Sequence, residues 1–449
     1  MKKVLLIALA FGSIQTGFAQ TAAKKLDSLL EGYNQVHKFN GSVLVAKNGQ
    51  ILLEKGYGNK NFQTHTLNDA NTIYQIASIT KQFTSTVILK LVELKKMSLT
   101  DKLSKYYPAL PEAVNITIYN LLTHTAGIPN YTLDSAFMKD VVNKNDKALN
   151  IVDALIKYNK LDFSPGTKWN YSNQGYQLLG EIIQKVTKMS YYQAVRKYIF
   201  TPLHMDNSGF DFTNLKNRDK ATGYWTFPEN DKDEVAPVID SSLSFSAGAI
   251  YSTITDLYKW HKGLQTYKIV SKASLDQAYM PFKNHYGFGW QIDTLFGKRV
   301  ISHSGDTYGF KTNIARVTED DVCIILLNNI EDQEVRGQIT RDIFAVLYNQ
   351  SYTVPVKRQE IQVNEEILKE YTGTYEINAQ VSVTIAVENG RLWVQASGQP
   401  KMQLFAQKEN FFFLKDADGQ VEFVIDQGGK IDKLLLFVNG NQIPGKKIK

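Results

Sequence analysis

Residues Ile76–Ser85 read IASITKQFTS. Ser78 and Lys81 stand three apart where an apolar helical pattern begins. Residues three apart share one face of a helix, so the hydroxyl and the amine can touch. A serine hydroxyl attacks well only when a base takes its proton. An amine can be that base only if burial or a neighbouring cation lowers its pKa. A pattern this short also arises by chance, as a capping serine followed by a lysine on the wet side of a helix. The rest of the chain has to decide between the two.

Upstream, AKKLDSLLEGYNQVHKF has the pattern of an amphipathic helix, and GSVLVAKNGQILLEKGYG follows it. There, Asn48-Gly49 between two apolar runs is a strong hairpin signal. The consecutive apolar positions predict strands covered on both faces. Downstream, helical patterns dominate to about Tyr258, broken at TAGIPNY, FSPGTKW and PLHMDNSG. Strands return in YGFGWQID, KRVISHSG and TNIARVTEDDVCIILLNN, and VRGQITRDIFAVLYN is helical. A hairpin at the start and strands at the end predict one antiparallel sheet built from both ends of the segment. Helices flank it, and the helical middle forms a subdomain beside it, an α/β (α+β) architecture.

SYTVPVKRQE is polar and carries a proline, which predicts a linker over 351–361 between a domain at 20–350 and another at 362–449. Beyond it come a short helix from about Asn364 and many short strands. Their turns fall at Asn389-Gly390, Asp418-Gly419, Gly428-Gly429 and Asn439-Gly440. Even spacing of this kind predicts a small all-β barrel or sandwich.

A chain of 449 residues with 43% hydrophobic content is long enough for two or three globular domains. Its formal charge of +7 is mild, and without a basic block it gives no support for nucleic-acid binding. Residues 1–19 combine MKK, the apolar run VLLIALAFG and small residues at Gly17 and Ala19. That predicts a signal peptide cut after Ala19, hence an exported protein, periplasmic or secreted, with no transmembrane segment after cleavage. An uncleaved N-terminal anchor is the alternative. Cys323, the only cysteine, sits in an apolar run and is expected to be a buried small hydrophobe. The seven histidines form no H-x-x-x-H pair, and neither a metal nor another cofactor is predicted.

S-x-x-K occurs once in the chain. About ninety residues on, PGTKWNYSNQGYQLLGEII offers Tyr171, Ser172 and Asn173 at a turn into a helix. A tyrosine beside a lysine ammonium has its pKa drawn down, which would make Tyr171 a proton shuttle. Asn173 carries a donor and an acceptor, suited to a substrate amide and to holding Lys81. The other Y-x-N, Tyr57 to Asn59, follows the hairpin and is read as a strand-end turn. Further on, VISHSGDTYGF ends a predicted strand with His303, Ser304 and Gly305. Gly305 would let a substrate backbone approach closely. The Asp306 amide could face the Ser78 amide, and two such N–H groups form an oxyanion hole, strengthened by the helix start.

In this order, Ser78-Ile79-Thr80-Lys81, Tyr171-Ser172-Asn173 and His303-Ser304-Gly305 resemble the motifs of the serine β-lactamase and penicillin-binding-protein superfamily, nearest its class C branch with peptidase and esterase relatives. LLTHTAGIP, FSPGTKWNYSNQGY, SAGAIYSTITDLYKW and YGFGW also resemble family stretches, and the resemblance spans roughly Leu26 to Asn349. It implies catalytic roles for Ser78, Lys81, Tyr171 and His303, and substrate binding by Asn173, Ser304, Gly305 and Asp306. It implies an exported serine hydrolase acting through a Ser78 acyl-enzyme on peptides, amides or esters, cell-wall peptides included. The alternatives are a class C-like β-lactamase and a non-catalytic penicillin-binding sensor of wall peptides. The C-terminal domain resembles small lipocalin-like barrels appended to exported members and is read as a packing or lid-supporting module.

Two departures from the family pattern matter. His303 stands where the lactamases have lysine, and a neutral imidazole holds a substrate carboxylate less firmly. That favours a peptidase or esterase, with His303 a neutral hydrogen-bond partner of Tyr171 or Lys81. There is also no E-x-x-L-N stretch, so deacylation would rely on Tyr171 and Lys81. His124, in THTAG, is read as structural, capping or bracing its loop. His261-Lys262-Gly263 matches H-x-G but lies in a helical pattern and is set aside.

Overall fold

A helix over 20–35 buries Leu26, Leu29, Leu30 and Tyr33 in one core with Val43, Val45 and Ile324. The computed structural model that shows this describes residues 20–130, 161–228, 234–331, 335–415, 419–426, 428–438 and 441–449. The expected signal peptide and the turn residues Asp418, Asn439 and Gly440 lie outside the described residues. Next come β1 (Gly41–Lys47) and β2 (Gln50–Tyr57), which turn at Asn48 and Gly49 with φ of 52° and 76°. Both angles are positive, as a favoured two-residue hairpin loop requires.

Two short pairs follow, β3 (Asn59–Asn61) with β4 (Thr66–Leu67), and β5 (Tyr74–Gln75) with β6 (Tyr251–Ser252). The main sheet is completed by β7 (Gln291–Leu295), β8 (Lys298–Thr307), β9 (Phe310–Val317) and β10 (Val322–Asn328). Its order is β2-β1-β10-β9-β8-β7, antiparallel throughout, so both ends of the segment build one sheet as expected. Alternate residues of a strand serve opposite faces. Val43 and Val45 enter the core with helices 20–35 and Arg336–Leu347. Leu44 and Ala46 enter the other, with the helices Thr80–Glu93 and Ile254–Gln265. Cys323 is buried in that second core, and burial pushes its thiol up to about 12. No helix among the described residues is long and apolar enough to cross a membrane.

Two expectations need correction. β2 is an edge strand with Ile51 44% exposed, so only the inner member of the hairpin is covered on both faces. YGFGW forms no strand, only a single bridge from Tyr286 to Gln291, and the strand runs over Gln291–Leu295. The loop crosses the nucleophile helix so closely that a Cβ on Gly289, at φ 78°, would lie 2.7 Å from the Lys81 carbonyl oxygen.

The chain divides into two compact units, Met1–Val354 and Pro355–Lys449. In the second, eight strands from β11 (Gly373–Asn378) to β18 (Asn441–Lys447) close a barrel. Its buried residues include Tyr375, Leu392, Leu404, Phe423 and Leu434, and Tyr371 stacks on Phe423 at 4.2 Å. The barrel core is therefore packed with side chains. The helix Glu365–Glu370 precedes the strands, capped by Asn364. Part of the stretch read as linker belongs to this unit, since Ile361 donates its N–H to the Ala406 carbonyl at 2.8 Å.

Candidate active site

Ser78 sits in a single 3-10 turn, Ala77–Ile79, that runs into the helix Thr80–Glu93. Ala77 has φ 47°, a left-handed conformation that costs a residue with a Cβ about 1–3 kcal/mol and persists only where its surroundings impose it. Here Ile76 donates to the Ile250 carbonyl at 2.9 Å, and the Ile250 N–H returns to the Thr80 hydroxyl at 3.1 Å. β7 pairs with β8 only from Lys298 to Ser302, so His303–Thr307 lies alongside the nucleophile turn instead. A Cβ on Gly305 would collide with the Ile76 carbonyl oxygen and the Thr312 hydroxyl. The close approach that Gly305 permits is therefore made first by the protein's own backbone, where the sequence suggested a substrate.

Lys81 is fully buried and, among the described residues, has three polar contacts. Its Nζ lies 3.0 Å from Ser78 Oγ, 2.7 Å from Asn173 Oδ1 and 2.8 Å from the Ala247 carbonyl oxygen. None of the three is a carboxylate. Burial holds its pKa well below the ordinary lysine value. A neutral amine has two N–H donors and one lone pair. Asn173 Oδ1 and the Ala247 oxygen can only accept, so they take the donors, and the lone pair is left for the Ser78 hydroxyl. The Ala247 contact was not read from the sequence. The signal for it was the run of small residues in SAGA, which packs tightly enough that a Cβ on Gly180 would strike the Ser246 side chain.

Tyr171 precedes the helix Asn173–Thr187, whose N-cap is Ser172, accepting from the Gly175 N–H at 3.2 Å. The Tyr171 ring lies 4.8 Å from Lys81 Nζ. The expected fall in its pKa does not occur. Burial raises it well above the ordinary phenol value, outweighing a hydrogen-bonding contact with Ser78. Tyr171 is thus a phenol at neutral pH, able to give a proton rather than take one.

His303 is buried, and both ring nitrogens are engaged within the protein. Nδ1 lies 2.6 Å from the Ser304 carbonyl oxygen, which can only accept, so the proton sits on Nδ1. Nε2 then accepts from the Tyr286 hydroxyl at 2.8 Å. The partner is Tyr286 of YGFGW, not the expected Tyr171 or Lys81; the Tyr171 ring is 6.3 Å away. Burial, with Lys81 nearby, drives the imidazole pKa down to about 3, so it is neutral at physiological pH.

Ser304 is half-buried. The Asp306 carboxylate pairs with Lys311 at 2.9 Å and Arg336 at 2.8 Å, and Arg336 also donates to the Gly305 carbonyl at 3.1 Å. Burial alone would raise the Asp306 pKa, but these two cations hold it below the usual carboxylate value. Sequence reasoning did not find Arg336, which sits on a helix remote in sequence from the motifs. His261 falls inside the helix Ile254–Gln265, joined to Arg316 and Asp321, and burial takes its pKa down to about 4.

These buried histidines predict acid sensitivity. Both folded pKa values, about 3 and about 4, lie below the unfolded value near 6.5. Above pH 6.5 neither state binds the protons. Below it the unfolded chain does and the folded chain does not, so stability falls as pH drops from 6.5 toward 4. Denaturant unfolding at pH 7 and pH 5 should differ by about 2 kcal/mol per histidine. An equal unfolding free energy at the two pH values would contradict this.

A family model described as Beta-lactamase matches residues 26–347, and one described as a domain of unknown function (DUF3471) matches 357–447. Penicillin-binding protein 4* of Bacillus subtilis is 29% identical over 94% of this chain and 98% of its own length. The structure of the octameric penicillin-binding protein homologue from Pyrococcus abyssi superposes with a TM-score of 0.65 at 26% identity, covering 94% of this chain and 99% of that one. D-amino acid amidase from Ochrobactrum anthropi shares the fold, with a TM-score of 0.60 at 22% identity over 72% of this chain and 99% of that one.

Proposed function

Since the chain belongs to the beta-lactamase family, we propose that it is an exported serine hydrolase that forms an acyl-enzyme on Ser78. Its preferred substrates are amides, peptides or esters that are not held through a free carboxylate. Export rests on the character of residues 1–19. The observation that carries the chemistry is the coordination of Lys81, whose two carbonyl acceptors leave its lone pair for Ser78.

The Ser78 proton passes to Lys81 Nζ as Oγ bonds to the substrate carbonyl carbon. The Ser78 and Asp306 backbone amides stabilise the resulting oxyanion. On collapse the bond to the leaving atom breaks, and Tyr171 gives that atom its proton while Lys81 reprotonates Tyr171. Water then attacks the ester with the same groups acting in reverse. The carboxylate preference follows from His303, whose two nitrogens are already used by Ser304 and Tyr286.

The test is steady-state turnover of D-amino-acid amides and peptides, p-nitrophenyl esters and nitrocefin by the mature protein. Amide or ester turnover above that of nitrocefin is expected. A stable adduct with every substrate and no turnover would instead make the protein a sensor. Tyr171→Phe keeps the ring volume, so folding should survive while amide turnover falls roughly a hundredfold. The fall should be smaller on p-nitrophenyl esters, whose leaving group departs without a proton. Equal turnover by Tyr171→Phe on amides would remove Tyr171 from the mechanism.

A further inference from the structure

We propose that His124 is a positioning residue that clamps the backbone on both sides of Tyr171; the proposal rests on the reading of Tyr171 as proton donor. The His124 carbonyl oxygen accepts the Asn170 N–H at 3.1 Å, and its Nδ1 accepts the Ser172 N–H at 3.2 Å. One residue thus holds the backbone N–H groups of the two residues on either side of Tyr171. Its ring also backs the Tyr171 ring, with centroids 4.3 Å apart.

The arrangement is costly in two ways. His124 has φ 57°, left-handed for a residue with a Cβ. With Nδ1 accepting, the neutral ring carries its proton on Nε2, and that buried N–H has no hydrogen-bond partner among the described residues. The ring lies among those of Tyr176 and Tyr286, with centroids 5.0 and 4.7 Å away. A residue needed only to fill space would bear neither cost. Both are explained if the demand is two acceptors and a flat ring, presented together at Tyr171.

Two substitutions separate the parts. His124→Asn tolerates the left-handed backbone and keeps an acceptor at the same bond distance, but loses the ring. His124→Phe keeps the ring and loses the acceptor. The substrate is D-alanine p-nitroanilide, an amide whose leaving nitrogen needs a proton. His124→Phe should lower kcat about a hundredfold with KM within a few-fold, the scale of misplacing a catalytic group by about 1 Å. His124→Asn should stay within about tenfold of the parent, again a positioning-scale effect. In a Tyr171→Phe background His124→Phe should cost nothing further, because its effect runs through the Tyr171 hydroxyl.

A parental kcat for His124→Phe, or a full second loss in the Tyr171→Phe background, would overturn the clamp while leaving the function standing. An unimpaired Tyr171→Phe single variant would overturn the function's proton donor, and the clamp with it. If His124→Phe does not fold, His124→Asn is compared with His124→Ala. The clamp requires Asn to exceed Ala at least tenfold in kcat, and equal values overturn it.

Discussion

The Ser78→Ala protein should fold as the parent does, take no covalent label from a fluorophosphonate, and turn over no substrate. Folding should survive because the substitution removes one partly exposed hydroxyl and its contact with Lys81 at 3.0 Å, a loss of about 1 kcal/mol. Lys81 keeps its other two partners, Asn173 and Ala247. The activity loss should be on the order of 10⁶ in kcat, the scale seen when a nucleophile is deleted from a unit that works together. Melting temperature and labelling measured on the same sample separate the two effects. Turnover surviving in a folded Ser78→Ala protein would place the nucleophile elsewhere.

Lys81→Met should slow acylation by about 10²–10⁴-fold, the contribution of a positioned general base. Methionine has similar length and no lone pair on nitrogen, so it fills the space and removes the base. It also strips the donor from Asn173 Oδ1 and the Ala247 oxygen, about 1–3 kcal/mol each, so the variant's melting point must accompany its rate. The pH profile adds a check that a packing defect would not mimic. In the parent, acylation falls as pH drops through the Lys81 pKa, because the ammonium form has no lone pair. Burial lowers that pKa, so this limb lies well below the ordinary lysine value. In Lys81→Met the limb should disappear. A variant labelling at the parental rate would show that another group takes the Ser78 proton.

Much of this was legible in the chain because the signals were local. Asn48-Gly49 announced its hairpin through turn chemistry, and PGTKWNYSN the turn into its helix, both decided within a few residues. Ser78 and Lys81 met as helical spacing required. What failed depended on distant neighbours. The apolar run of β2 said nothing of its place at the sheet edge. YGFGW has strand-forming aromatics, yet Gly289 is needed for passage over Lys81 and Tyr286 for His303. The Tyr171 pKa moves opposite to the direction that a neighbouring ammonium alone would give. Burial of the phenol, which no local pattern reveals, reverses it. The Ala247 carbonyl is a backbone atom, and the small-residue run SAGA around it does not say which neighbour it reaches.

The mechanism turns on Ser78 being the group that the buried amine activates. The most direct measurement is mass spectrometry of the intact mature protein after fluorophosphonate treatment, followed by peptide mapping of the adduct. A single adduct on Ser78, forming faster as pH rises and much more slowly in Lys81→Met, is the predicted result. An adduct on any other residue, or a Ser78 adduct formed at the same rate in the parent and in Lys81→Met, would contradict it.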